Sequence, residues 1–242
     1  MPANEKAGSP VYCAGPIFST GDRDEQEATA AALTDDGYVA YLPHRDGIDL
    51  GYMLKRFDTV LHGSAIPPVT LPLRKLVFAL DVYQVLDRCQ SVVFNLDGRT
   101  PDEGAVVEAT AAYVAGKPIV VHKSSPITMA GGVDNPMVQG LSSTWTYVDT
   151  VEGIPEALGA AVTRFEEDPG DPYAAPPTVA SIIQQGEQVF TWLDSNRMPR
   201  GDLNELIEWT AGLVKETKLE LSSDEEVREW TERLIGLLGE LR

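Results

Sequence analysis

The chain has 242 residues, 43 % of them hydrophobic, enough apolar side chain for a packed core and too much for a largely disordered polymer. Its formal net charge of −18 repels nucleic-acid phosphates and anionic lipid, which argues against a nucleic-acid polymer or a membrane as partner and has solubility as its ordinary reading. The first ten residues are polar and no stretch reaches the about 20 apolar residues of a membrane span, so a cytoplasmic location is expected. The first predicted strand is VYCAG, residues 11–15, a short apolar run between Pro10 and Pro16. A helix follows from Asp22 to Leu33, closed by Gly37, and YVAYLP at 38–43 is the next strand. The segment 46–73 mixes Gly, Pro and polar residues and reads as a loop with short helical pieces. Helical spacing returns over 74–88, with Leu76, Ala79, Leu80, Tyr83 and Leu86 on one side. SVVFNL (91–96) is a strong strand, DGRTPDEG a polar loop, 105–116 a helix with a terminal glycine, and KPIVVH (117–122) a further strand.

Strand, loop, helix and strand in that order make a βαβ unit, so a parallel sheet is expected, with ligands beyond the carboxyl ends of its strands. The loops after Gly15 and Leu96 would then meet at one place. The Pro- and Asp-rich stretch 166–177 reads as a linker between an α/β domain over 1–165 and a helical extension over 178–242. That extension shows three amphipathic segments, near 178–195, 202–219 and 223–240. The last opens on a Ser223/Glu226 capping box. Trp192, Trp209 and Trp230 serve most simply as packing anchors, and the extension as a structural or dimerising appendage.

Two cysteines, Cys13 and Cys89, sit in apolar segments and are expected as buried free thiols; no metal-ligand spacing is visible. Neither G-x-G-x-x-G nor G-x-x-x-x-G-K-[ST] occurs, which weakens hydride transfer and ATP hydrolysis as functions. The informative segment is LDGRTPDEGAVVEA, 96–109, where Asp97, Asp102, Glu103 and Glu108 gather around one strand-to-helix loop. Asp102 and Gly104 stand at the helix start, where the dipole favours a carboxylate and glycine permits close approach of a ligand. Glu108 lies among Val106, Val107, Ala109 and Ala111, so partial burial is expected. A partly buried carboxylate usually has a partner or a task. At the other loop, VYCAGPIFS would set Tyr12 and the backbone of Ala14 to Ile17 beside the same cleft.

Y-C-A-G-P-I-F-S, a downstream Asp81, L-D-G-R-T-P-D-E-G-A-V-V-E-A followed by G-K-P, and then D-N-P-M resemble the nucleoside 2-deoxyribosyltransferase family over about residues 10–150. The Asp102-to-Glu108 spacing is the most specific part. The resemblance implies a flavodoxin-like or Rossmann-like α/β fold and homo-oligomers, dimers or higher, whose active sites a neighbouring subunit completes. It implies Glu108 as the nucleophile at the anomeric carbon and Tyr12 as its orienting hydrogen-bond partner. Asp81 and Asp102 would hold base and sugar, one of them assisting protonation of the leaving base. Asn135 of D-N-P-M, with Met137 beside it, would reach into the adjacent subunit's site. Gly15, Pro16, Phe18, Asp97, Gly98 and Gly104 would line the pocket. The small-molecule partner is a nucleoside or nucleotide, and the chemistry requires no metal or redox cofactor.

The implied reaction is transfer of a (deoxy)ribosyl group between bases through a glycosyl-enzyme on Glu108. Hydrolysis of a nucleoside 5′-monophosphate is the first alternative, with Ser19 and Arg23 available to a phosphate or else as helix-cap residues. A non-catalytic nucleotide sensor is the second. His44 and Arg45 are either turn residues or phosphate contacts, His62 lies in the loop that would shape substrate choice, and His122 is expected to be structural.

Overall fold

A computed structural model describes residues 8–61, 66–97, 101–126, 131–142 and 144–217, with 225, 226, 228–230, 232, 233 and 236; for 66–69 only the backbone is described. In chain order the elements are β1 (Pro10–Ala14), α1 (Thr20–Asp35), β2 (Val39–Tyr41), α2 (Pro43–Asp46), α3 (Leu50–Phe57), α4 (Ile66–Tyr83), β3 (Ser91–Asn95), α5 (Glu103–Val114), β4 (Ile119–His122), α6 (Pro136–Gln139), α7 (Ile154–Glu167), α8 (Pro177–Ser195) and α9 (Leu203–Glu216). A π turn over Gln84–Arg88 leads out of α4, and a 3-10 turn over Val151–Gly153 leads into α7. No helix among the described residues is long and apolar enough to cross a membrane.

The chain forms two compact units, Met1–Asp46 with Gln84–Ala174 and Gly47–Tyr83 with Ala175–Arg242. This differs from the expected boundaries of 1–165, 166–177 and 178–242. Residues 47–83 group with the C-terminal helices and not with the strands that flank them in sequence. The physical reason is their apolar content: Met53, Phe57, Leu73, Leu76 and Leu80 are buried among Val189, Leu193, Leu206, Ile207, Leu213 and Val214.

The first unit is a four-stranded parallel sheet in the order β2-β1-β3-β4, with Tyr12 level with Tyr41 and Val92, and Phe94 level with Val121. That is the beginning of the flavodoxin-like order 2-1-3-4-5. β3 and β4 are buried at every position, which is why their centres, Val92–Phe94 and Ile119–Val121, read as apolar runs without alternation. Alternation along the strands divides the core. Val11, Cys13, Val93 and Val120 pack with Ala30 and Leu33 of α1 and with Ile154 and Leu158 of α7. Full burial of a side chain such as Ile154 or Leu158 is worth about 1.5–3 kcal/mol. Tyr12, Val92, Phe94 and Val121 point to the other face, which α5 covers with Ala105, Ala109 and Ala112. Small residues on α5 let the helix lie close to the strands.

α1 begins at Thr20, two residues before the expected Asp22, and Ser19 takes the cap role that was one of its two expected readings. Ser19 accepts from Asp22 N at 3.1 Å while Asp22 accepts from Ser19 N at 2.8 Å, a reciprocal cap. Gly37 ends it at φ +97°, a conformation suited to glycine. The strand expected over 38–43 is Val39–Tyr41, because Pro43 opens α2. Asp102 caps α5 by accepting from Ala105 N at 2.7 Å.

The second unit is helical. The segment expected as a loop over 46–73 contains α3 and the first half of α4, and the helix expected over 74–88 runs from Ile66 to Tyr83 before its π turn. Pro72 lies inside α4, and prolines of this kind conceal helical periodicity from a reader of the sequence. α4 and α8 pack so closely that a Cβ on Gly186 would stand 2.1 Å from the Ala79 carbonyl oxygen. Trp192 and Trp209 meet edge to face at 5.3 Å, and Trp230 is buried in the same core. Ser223 of the expected capping box lies outside the described residues.

Candidate active site

β2 lies on one side of β1, and β3 and β4 on the other, so chain direction across the sheet reverses between β1 and β3. Ligands of open α/β sheets bind in the crevice beyond the carboxyl ends of the strands at such a reversal. Here those ends are Gly15 and Pro16 after β1, and Leu96 and Asp97 after β3. Gly15 is needed where it stands. A Cβ there would lie 2.0 Å from Gln26 Nε2 and 2.9 Å from Asn95 Cβ, so only glycine lets β1 turn against α1 and β3.

α5 carries the acids. Its buried stripe is Ala105, Ala109 and Ala112, and Glu108 falls at the margin of that stripe, half-buried, three residues after Ala105. Partial burial is what its apolar neighbours implied. Tyr12 belongs to the face of the sheet that α5 covers, is 0 % exposed, and stacks on Tyr41 with ring centroids 5.6 Å apart. Asp102 at the cap has its pKa raised. Burial is the largest cause; the Ala105 N–H pulls the other way, and the charges of Glu103 and Asp22 push it up further. The electrostatic reach from Asp22 to Asp102 brings the starts of α1 and α5 to the same edge of the sheet. Gly104 is exposed in the first turn of α5, its absent Cβ 3.2 Å from Asp102 Oδ2.

Asp97 has the opposite character. Burial works against its charge, but hydrogen bonds from Ser124 and Ser125, with His122 nearby, outweigh burial and hold its pKa below the ordinary value. Ser124 N and Oγ donate to Oδ2 at 2.9 and 2.6 Å, and Ser125 N donates to Oδ1 at 2.8 Å. The carboxylate thus ties the loop after β3 to the loop after β4. Behind it, Asp97 N donates to Asn95 Oδ1 at 2.8 Å.

The D-N-P-M segment forms α6. Asn135 caps it, accepting from Met137 N at 3.0 Å, and both residues are exposed, Met137 to 82 %. The segment is held from below by buried Lys123, whose Nζ donates to both oxygens of Asp134 at 2.6 and 2.7 Å. Burial, reinforced by Asp134, pushes the neighbouring Tyr147 hydroxyl up to about 12. Phe18, after the Gly-Pro turn, is 76 % exposed.

Gly98 lies outside the described residues, as does His62. Asp81 sits near the end of α4, in the second unit. Arg45 is spent on structure: it donates to Asp46, Glu27 and the Ala40 carbonyl. His44 is buried beside Glu27 at 3.9 Å. Ser19 is a cap residue and Arg23 donates to the Ile17 carbonyl at 2.9 Å. Both cysteines are buried free thiols, and burial raises the pKa of each, that of Cys89 to about 12, so neither is a ready nucleophile at neutral pH. Glu25, Gln26, Asn95, Ser124 and Lys123 carry no local pattern that marks them out. The one available signal was a polar Asn95 closing an otherwise apolar strand.

A family model described as nucleoside 2-deoxyribosyltransferase matches residues 11–168. No curated protein matches the chain in sequence. Among solved structures, the crystal structure of a conserved protein from Enterococcus faecalis V583 is similar at 23 % identity, over 64 % of this chain and 99 % of that one, with a TM-score of 0.44. The family match runs from the first strand through α7 and takes in both the turn after β1 and the acidic start of α5, so the chain belongs to the nucleoside 2-deoxyribosyltransferase family.

Proposed function

We propose that the protein transfers a (deoxy)ribosyl group from one nucleobase to another through a covalent intermediate on Glu108. The observation that carries this is the presence of two carboxylates on α5, Asp102 at the cap with its pKa raised chiefly by burial and Glu108 half-buried at the edge of the sheet-facing stripe. Cleaving a C–N glycosidic bond builds positive charge on the sugar. An ionised carboxylate answers that charge, and a carboxylic acid supplies the leaving base with a proton.

In the first step a Glu108 oxygen bonds to the anomeric carbon. The C–N bond breaks, its electron pair stays with the base nitrogen, and that nitrogen takes a proton from Asp102. In the second step a nitrogen of the incoming base attacks the same carbon, the ester to Glu108 breaks, and the proton of the incoming base returns to Asp102. Tyr12 orients Glu108, Gly15 and Pro16 form one wall, Asp97 shapes the pocket by anchoring its loop, and Asn135 with Met137 extends toward a neighbouring subunit of a homo-oligomer. If water replaces the acceptor base, the same intermediate is hydrolysed.

The test is incubation with a panel of nucleosides and 5′-monophosphates, with and without a free acceptor base, read by chromatography. A new nucleoside formed only with acceptor is the expected result. Free sugar or sugar phosphate released equally without acceptor makes the protein a hydrolase. Glu108→Gln separates both from a sensor: ligand affinity unchanged with no turnover in the wild type would overturn catalysis altogether.

A further inference from the structure

His122 ends β4 with its ring 1 % exposed, on the face of the sheet that α1 covers and away from α5. Its Nδ1 lies 2.9 Å from the Val148 carbonyl oxygen. A carbonyl only accepts, so Nδ1 carries the ring proton and Nε2 is left facing Glu25 Oε1 at 3.2 Å. A lone pair set against a carboxylate at that distance is repulsive unless a cation, a proton or a metal ion, joins them. Asp97 supplies a second carboxylate: one ligand atom from each of Glu25, Asp97 and His122 lies within 4.8 Å of the other two.

The surroundings have the form of a metal's outer shell. A ligating histidine commonly donates its other N–H to a backbone carbonyl, as His122 does to Val148, and a ligating carboxylate is itself hydrogen-bonded, as Asp97 is by Ser124 and Ser125. An ionised carboxylate offers about four lone-pair positions, and these three bonds leave one over. Bonds of about 2.0–2.1 Å to a tetrahedral Zn²⁺ set ligand atoms about 3.4 Å apart, close to the 3.2 Å between Nε2 and Oε1. Glu25 is 29 % exposed and stands on the surface side of the group, so its side chain can turn to close the wider spacing.

We propose that Glu25, Asp97 and His122 bind one divalent transition-metal ion of the Zn²⁺ class. One imidazole nitrogen with two carboxylate oxygens suits such an ion, whereas Ca²⁺ and Mg²⁺ favour all-oxygen shells. The ion pins α1, the loop after β3 and the end of β4 together. His122 stands on the other face of the sheet from Glu108; the ion shares Asp97 with the proposed pocket, but its uptake is read without turnover.

The test uses the full chain, stripped by chelator and titrated with Co²⁺ as a visible-absorption probe and with Zn²⁺ by calorimetry, in excess Mg²⁺ to suppress loose binding to the acidic surface. The expected result is one ion per chain, d–d absorption displaced by Zn²⁺, and a raised Tm. Glu25→Gln should bind at least tenfold more weakly and His122→Gln should lose the site; if His122→Gln does not fold, Glu25→Gln decides. Absence of stoichiometric uptake by the wild type overturns the proposal and leaves a proton-held ion pair, as does uptake that both variants retain at full strength.

Discussion

The two units treat buried polar groups in different ways. In the helical unit several are answered within the helices or at a cap. Thr210 and Thr217 donate to the Leu206 and Leu213 carbonyls one turn back, Gln185 donates to the Thr217 carbonyl, and Asp49 caps α3 while pairing with Arg200. In the sheet unit several of the buried polar residues, Gln26, Asn95, Asp97, His122 and Lys123, instead collect at the carboxyl edge of the strands. Groups answered locally stabilise the element that bears them. Groups gathered at a strand edge hold loops in place for something else, and the two acids with shifted pKa values, Asp97 and Asp102, both belong to that edge.

The largest expected effect is on turnover. Glu108→Gln should lower kcat by about 10³-fold or more, since a nucleophile has no substitute in the scheme, while Tm stays near that of the wild type because Glu108 is only half-buried. Equal turnover would dissolve the contrast between a working edge and a structural unit. Next is Gly186→Ala in the helical unit. Its new methyl group would stand 2.1 Å from the Ala79 carbonyl and 2.4 Å from Tyr83 Cβ. With backbone in the way, the loss should be about 3 kcal/mol in a denaturant titration, near the upper end for overpacking.

Asp97→Ala should cost about 2 kcal/mol, because it removes the acceptor for Ser124 and Ser125 and leaves those donors at a buried edge. The smallest effect on stability is that of Asp102→Asn, although the scheme requires it to lower turnover. Asparagine caps a helix as well as aspartate does, so stability at neutral pH should match the wild type or rise by about 0.5 kcal/mol. The two acids should also respond oppositely to pH in metal-free protein. Asp97, with a lowered pKa, contributes stability above the ordinary aspartate value of 3.8 that is lost as pH falls through its folded value. Asp102, with a raised pKa, contributes stability below 3.8 that is lost as pH rises through its folded value. Thermal melts of each asparagine variant against the wild type from pH 3 upward, in steps of about one unit, should give differences of opposite slope. Parallel slopes would mean that the two carboxylates share one environment.

Much of the sheet unit could be read from the sequence because each of its strands is a short apolar run set off by Gly, Pro or polar residues, and because α5 repeats alanines at helical spacing. Residues 46–73 could not. There Leu50, Met53, Leu54 and Phe57 do keep helical spacing, but Gly51, Pro67, Pro68 and Pro72 are breakers that interrupt the pattern around it. Of the candidate residues, the partial burial of Glu108 and the capping by Asp102 were legible, since an acid amid apolar residues and an acid at a helix start are local signals. Glu25, Asn95 and His122 were not, because what joins them is the closing of three separate segments on one sheet edge, which no spacing along the chain encodes.

The excursion between β2 and β3 has a bearing on biosynthesis. Leu73, Leu76 and Leu80 leave the ribosome well before Val189, Leu206 and Val214, the residues they are buried with. During elongation these helices wait with their greasy sides uncovered, and a gene shortened at Pro177 would leave them so for good. Shortened products should therefore be captured by chaperones or lost to inclusion bodies, although the segment matched to the family is still whole.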